Sequence, residues 1–302
     1  MRVSEREQNP RTGEGGKRHL DERQLIERSI QKKYRKELWT PFITAVKRYA
    51  LVNEGDRVAV CVSGGKDSML LAKLMQLLER YSEVPFQARY LVMDPGYSPA
   101  NRHQIEENAA KLGIPVEIFE TDVFDVANTA DKNPCYLCAR MRRGHLYSRA
   151  RAMGCNKIAL GHHFNDVIET TVMAMFYGAQ LQGMMPKLHS TNFEGMELIR
   201  PLYCVHEEDI IAWKRYNNLT FLQCACRFTE QLAQPDAVAS SKRQEIKQLL
   251  KALRRDNPDV EKSVFNAIHA MSLDTFPGWK SQGKEHSFLE WYDRRGASAE
   301  EE

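Results

Sequence analysis

Between residues 57 and 216, short apolar runs alternate with stretches of helical spacing, and this alternation constrains the fold more than any other feature of the chain. Arg57–Val62, Gln87–Met93, Val116–Phe119, Lys157–Leu160 and Glu197–Pro201 read as strands. Asp67–Arg80, Asn101–Leu112, Met141–Met153, Asn165–Tyr177 and Glu207–Tyr216 read as helices, with Gly113 and Gly154 as C-terminal stops for two of them. Residues 120–138 read as irregular. A strand that returns through a helix comes back parallel to the first, so repetition of the unit builds an open parallel sheet with helices on both faces. The expected fold is therefore α/β, with an N-terminal helix before the sheet and a helical extension after it.

The flanks are of other kinds. Residues 1–22 are polar, with a Gly-Glu-Gly-Gly run, and read as a disordered tail. Residues 23–52 read as a basic helix, in which Ile26, Ile30, Tyr34, Leu38, Phe42 and Val46 form an apolar stripe four residues apart. Lys32, Lys33, Arg35 and Lys36 fall on its other faces, as a solvated surface or as a patch for phosphate backbones. The sheet core is expected over 53–228 and the extension over 229–302, helical over 240–271. There Leu249, Leu250, Leu253, Val260, Val264 and Ile268 are expected to face a core. The first residues lack an apolar stretch of the secretory kind, and no apolar run approaches the roughly 18 residues of a membrane span. A cytoplasmic protein that does not engage a membrane is the expectation.

Val62–Ser68, Val-Ser-Gly-Gly-Lys-Asp-Ser, joins the first strand to the first core helix. Two glycines let the backbone turn tightly and approach a ligand, and the amides that open the helix make an anion site. Ser63 and Ser68 add hydroxyls, Lys66 adds charge, and Asp67 is placed to hold a magnesium ion. The spacing is not that of the Walker A loop. Ligands of open parallel sheets bind beyond the carboxyl ends of the strands, so Asp94 after the second strand and Gly161-His162-His163-Phe164-Asn165-Asp166 after the fourth should face the same crevice.

Four of the seven cysteines sit in two close pairs, Cys135-x-x-Cys138 and Cys224-x-Cys226. Thiolates so spaced can share one metal. Spacing alone leaves a structural zinc, a [4Fe–4S] cluster with three ligands, or redox-active thiols as readings. Cys61, in the first strand, reads as a small buried apolar residue.

The Ser63–Ser68 run resembles the loop of the PP-loop ATP pyrophosphatases. Such enzymes cleave ATP between its α- and β-phosphates and transfer AMP to an oxygen. A longer series narrows the likeness: Cys135-x-x-Cys138, Arg140-Met-Arg-Arg-Gly144, Gly161-His-His163, Asp166, Gly183-Met-Met-Pro-Lys-Leu188 and Ile199-Arg-Pro-Leu202. From about Lys36 to about Cys226 it resembles the tRNA 2-thiocytidine synthetases. Three departures stand out: Cys-x-Cys in place of a distal Cys-x-x-Cys, Asn165 where an acidic residue is usual, and Met185 in place of a proline.

The resemblance implies the Rossmann-like HUP architecture and an ATP-dependent sulfurtransferase that forms AMP and pyrophosphate. ATP, Mg2+ and a [4Fe–4S] cluster are its implied cofactors. Ser63, Gly64, Gly65, Lys66, Asp67, Ser68, Met93, Gly161 and His162 would bind ATP, with Lys66, Asp67 and Asp166 in catalytic roles. Cys135, Cys138 and Cys224 would hold the cluster, with Cys226 as the alternative to Cys224. Arg140, Arg142, Arg143 and Lys187, the last in a loop, would contact RNA. The target is a cytidine of the anticodon loop, whose C2 oxygen is adenylated and replaced by sulfur. The implied partners are tRNA and a sulfur donor, a cysteine desulfurase or free sulfide, and a homodimer is the implied assembly. The rival readings are a PP-loop thiolase for another base or a small molecule, and a metal-stapled RNA-binding protein without catalysis.

Overall fold

The computed structural model describes residues 20–124, 134–222, 242–290 and 292. Its centre is a six-stranded sheet: β1 (Arg57–Cys61), β2 (Gln87–Asp94), β3 (Val116–Glu120), β4 (Lys157–Ala159), β5 (Lys187–His189) and β6 (Glu197–Ile199), in the order β3-β2-β1-β4-β6-β5. All pairings are parallel except β5 with β6. Alternation along β1 explains why helices cover both faces. Val58 and Val60 enter the larger core cluster, whereas Ala59 and Cys61 enter a smaller one with Tyr147 and Ala150. Burial pushes the Cys61 thiol pKa up to about 12, as expected of a packed apolar cysteine.

The helices are α1 (Glu22–Arg28), α2 (Thr40–Arg48), α3 (Lys66–Tyr81), α4 (Pro99–Leu112), α5 (Pro134–Ala152), α6 (Phe164–Gly178), α7 (Glu207–Tyr216), α8 (Lys242–Asp256) and α9 (Val260–Ala267). Gly113 ends α4 in the left-handed region, at φ 64°. Helix α5 begins earlier than the sequence reading placed it. Pro134 fits a first helical turn, where its missing N–H has no partner to lose, so the Cys135-x-x-Cys138 backbone is helical rather than irregular.

The N-terminal stripe forms by an unforeseen route. Two π-helical segments, Ser29–Lys33 and Arg35–Trp39, separate α1 from α2. A four-residue spacing drifts about 40° per step on an α-helix of 3.6 residues per turn, so six such positions would not share one face. The wider π turns cancel that drift. Ile26, Ile30, Leu38, Phe42 and Val46 are all buried as a result.

The C-terminal region is not only helical. A hairpin of β7 (Gly278–Ser281) and β8 (Lys284–Ser287) follows α9. Of the expected core contacts, Leu250 is buried and Val264 and Ile268 pack against the core, while Leu249 and Leu253 are exposed. Ile246 and Phe265 take the inward positions instead. The expected tail lies outside the described residues up to position 19, and so do residues 293–302.

Candidate active site

Strand order reverses direction between β1 and β4, and a parallel sheet opens a crevice beyond the carboxyl ends of two such strands. A cavity of about 420 Å3 lies there. Val62, Ser63, Gly65, Asp67 and Ser68 line one side, Leu160, Gly161 and His162 another, and Met93 closes the end of β2. All nine ATP-binding positions from the sequence border it except Gly64 and Lys66. Gly64 turns behind the loop at φ 84°, with the position of a Cβ only 2.6 Å from Ile105 Cγ1. Lys66 faces an adjoining depression with Lys214 and Arg215.

The loop presents backbone to the cavity. Helix α3 starts at Gly65 without a side-chain cap, so its opening amides are available to an anion. Ser63 N–H and Oγ both donate to Ser68 Oγ, each at 3.1 Å, and Ser68 Oγ donates to Gly65 O. Gly161 lies so close that a Cβ there would sit 3.1 Å from Ser68 N and 3.2 Å from Asp67 C. Only glycine leaves both segments where they are.

Charges around the cavity are paired by residues remote in sequence. Lys66 Nζ lies 3.0 Å from both Asp67 Oδ2 and Glu207 Oε1. Burial lowers the Lys66 pKa, and the two carboxylates outweigh it and raise the value above the ordinary range. Burial raises the Glu207 pKa, but hydrogen bonds from Lys247 and Lys66 pull it down to about 2. Asp67 Oδ1 is buried without a hydrogen-bond partner. Asp166 accepts from His163 N–H at 3.0 Å and from Arg243 at 2.8 Å, so each of its oxygens is engaged. Burial, aided by Arg200, drops the His162 pKa to about 4 and keeps the ring neutral near pH 7. Asp94 is buried and caps its own turn, accepting from Gly96 and Tyr97 N–H, rather than facing the crevice.

Of the expected RNA-binding residues, Arg142 and Arg143 line the crevice, and Arg140 and Arg143 line a second basin beside it. Lys187 lies on β5 rather than in a loop, and its Nζ donates to Ala50 O at 3.0 Å. Lys32 and Lys33 border a separate depression, where Lys33 Nζ sits 3.6 Å from the Tyr216 ring centroid. The backbone of Cys135 and Cys138 lies within the first five residues of α5, while Cys224 and Cys226 lie outside the described residues. Among the described residues no three His, Cys, Asp or Glu side chains are gathered as metal ligands.

Sequence reasoning missed Glu207, Arg243 and Lys247. Helix α8 lays Arg243 and Lys247 across the ends of α6 and α7, a placement that no local pattern encodes. The clustered carboxylates of Glu207-Glu-Asp at the start of α7 were the one available signal.

The PP-loop domain family matches residues 28–227. A tRNA-cytidine(32) 2-sulfurtransferase of Geotalea uraniireducens is 37% identical over 74% of this chain and 87% of its own length. Those of Citrifermentans bemidjiense and Geotalea daltonii are 36% and 35% identical, over 74% and 81% of this chain and 86% and 93% of their own lengths. Among solved structures, the U34-tRNA thiolase NcsA from Methanococcus maripaludis, with its [4Fe-4S] cluster, superposes with a TM-score of 0.59. It covers 76% of this chain and 77% of that one, and at 20% identity it shows a shared fold. Among the described residues no helix is long and apolar enough to cross a membrane.

Proposed function

The chain belongs to the PP-loop family, among the tRNA-cytidine 2-sulfurtransferases, and from that premise we propose that it adenylates the C2 oxygen of a cytidine in a tRNA anticodon loop and exchanges that oxygen for sulfur. The observation that carries this reading is the uncapped start of α3 beside Gly161, a backbone cradle with no room for a Cβ. Phosphates fit it because the helix-opening amides are fixed donors that need no rearrangement, and the Ser63 and Ser68 hydroxyls can turn from their mutual hydrogen bonds to join them.

ATP lies with its adenine by Met93 and its phosphates against Ser63–Ser68. The C2 oxygen of the base attacks the α-phosphorus and the bond to the β-phosphate breaks, releasing pyrophosphate. Lys66, which in the structure pairs with Asp67 and Glu207 in the adjoining depression, would turn toward the crevice to offset charge on the departing group. Sulfide sulfur then adds to C2, and AMP leaves with the original oxygen. Adenylation is needed because hydroxide is a poor leaving group and AMP a good one. Asp67 fits a divalent cation, since its buried Oδ1 lacks a partner, and Mg2+ there would offset phosphate charge. Cys135 and Cys138, three apart in one helical turn, suit a shared metal group with Cys224 or Cys226 as third ligand. A [4Fe–4S] cluster held there would present sulfur for the exchange.

Asp166 acts as a positioning residue, tying the loop after β4 to α8. Arg140 and Arg143 contact the RNA. The working unit runs past the core of 53–228 into the extension of 229–302, because α8 completes the charge pairing at the crevice. Free sulfide, or the persulfide of a cysteine desulfurase released as sulfide by thiols that are oxidised to a disulfide, supplies the sulfur to a cytoplasmic homodimer.

The test is to compare tRNA nucleosides, by mass spectrometry, from cells with and without the gene. Loss of 2-thiocytidine alone is expected. Unchanged 2-thiocytidine would overturn the cytidine assignment, and absence of tRNA-dependent ATP–pyrophosphate exchange would overturn the enzymatic reading.

A further inference from the structure

A second basin of about 900 Å3 adjoins the phosphate crevice. The two share Arg143, Tyr147, Leu160, His162 and Leu198, so a ligand in one abuts a ligand in the other. Three properties set the basin apart. No carboxylate lines it, and its ionisable lining residues are four arginines, two histidines and Tyr147. Its wall carries Phe193 stacked on buried Tyr147, with ring centroids 5.0 Å apart and planes 10° from parallel. Two of its lining residues carry a nitrogen, Arg200 Nε and His162 Nδ1, that is buried without a hydrogen-bond partner. A buried donor or acceptor left unpaired costs about 1–3 kcal/mol, so two such groups at the wall of one cavity favour a ligand toward which they can turn.

We propose that this basin receives the target base turned out of its loop, and that Arg200 reads the edge of that base to select cytosine over uracil. The inference rests on the function proposed above and adds the residue that sets its specificity. An unstacked base needs an aromatic surface for its face and fixed polar groups for its edge, and the basin holds both. Arg200 follows β6 directly, and its Nη1 donates to Met185 O, which fixes the guanidinium from one side. Nε on the other edge is buried without a hydrogen-bond partner, and a turn of the side chain toward the basin would bring it to a base. A guanidinium edge offers parallel donors. Cytosine presents two adjacent acceptors, N3 and O2, whereas uracil presents an N3–H that opposes a donor. A base in contact with Arg200 and His162 has its C2 oxygen next to the crevice that holds ATP, because His162 borders both spaces. Arg140 and Arg143 on the wall attract the flanking phosphates without favouring any sequence.

The experiment uses the full-length enzyme, ATP and two anticodon stem-loop RNAs, alike except for cytidine or uridine at the target. RNA-dependent ATP–pyrophosphate exchange reports adenylation alone. The wild type should prefer the cytidine RNA. Arg200→Gln should lower kcat/KM on it roughly 10- to 100-fold, the scale of one bidentate base contact, and leave the uridine RNA and ATP affinity unchanged. Retention of wild-type kcat/KM and preference by Arg200→Gln would overturn the proposal. A second variant guards against misfolding of the first. With pyrrolocytosine at the target, the wild type should quench its fluorescence, and Phe193→Ala should lose most of the quench. Absence of quenching by the wild type, or full quenching by Phe193→Ala, counts against the basin. Quenching without exchange on either RNA would instead sink the adenylation reading and leave the pocket standing.

Discussion

The loop side of the crevice, Val62–Ser68 with Gly161 against it, is made of backbone and small side chains within bonding distance of one another. Beside the crevice, where α8 crosses the starts of α6 and α7, the contacts are made by long charged tips such as Arg243 and Lys247, both nearly half exposed. The first side leaves no slack. A methyl added at Gly161 must displace main chain. The second side adjusts by turning a side chain, and water and salt compete for each contact. The contrast teaches where precision resides: on the proposed function, the phosphates would be gripped by what cannot move, and the rim tuned by what can.

Four changes would break or sharpen that contrast. Cys135→Ala should reduce tRNA thiolation below detection in a nucleoside assay while leaving ATP affinity near the wild-type value. Normal thiolation by this variant would remove the thiol set from the mechanism. Gly161→Ala should weaken ATP binding or turnover by about a hundredfold, the usual result of a shift of about 1 Å in a reacting group. Titration calorimetry with ATP checks it, and an effect under about fivefold would show that the loop side does have slack.

Glu169 tests burial without a compensating cap. It is 5% exposed, and burial raises its pKa to about 7, with Lys247 and Arg243 only partly opposing the rise. A carboxyl with a raised folded-state value holds its proton longer when folded. Its contribution to stability is full below the unfolded value of 4.5 and is lost as pH rises through about 7. Glu169→Gln should therefore flatten the pH dependence across that window by up to about 3 kcal/mol, read from denaturant midpoints at a series of pH values. An unchanged slope would place the titration elsewhere. The smallest effect is expected at the rim. Arg243→Ala should cost about 0.2–1 kcal/mol, a few-fold in ATP affinity at most, and less in high salt. A loss comparable to that of Gly161→Ala would mean that the rim is as rigid as the loop.

Two parts of the chain mark how far local pattern reaches. The Val62–Ser68 loop was legible because the residues that turn it, cap it and pair within it are neighbours, and the strand before it and helix after it announce themselves by period. The apolar stripe of Ile26 to Val46 was legible as a stripe, but not as two π segments, because spacing records which residues are buried and not how the backbone brings them there. Strand β5 was missed because three residues at an antiparallel edge leave no period to detect.

The sequence by itself determined the parallel α/β core, the phosphate loop with its glycines and serines, and the thiol set with its likeness to tRNA thiolases. In each case the signal lies within a few residues, and steric rules tie it to one geometry. The tertiary structure alone decided that α8 returns to the crevice, that Asp166 anchors Arg243, that Lys66 pairs with Glu207, and that Arg200 and His162 stand unpaired beside the Tyr147–Phe193 stack. These depend on which helix ends meet after the chain has packed its apolar faces. That choice is made by the summed burial of the whole core, and no single stretch of sequence carries it.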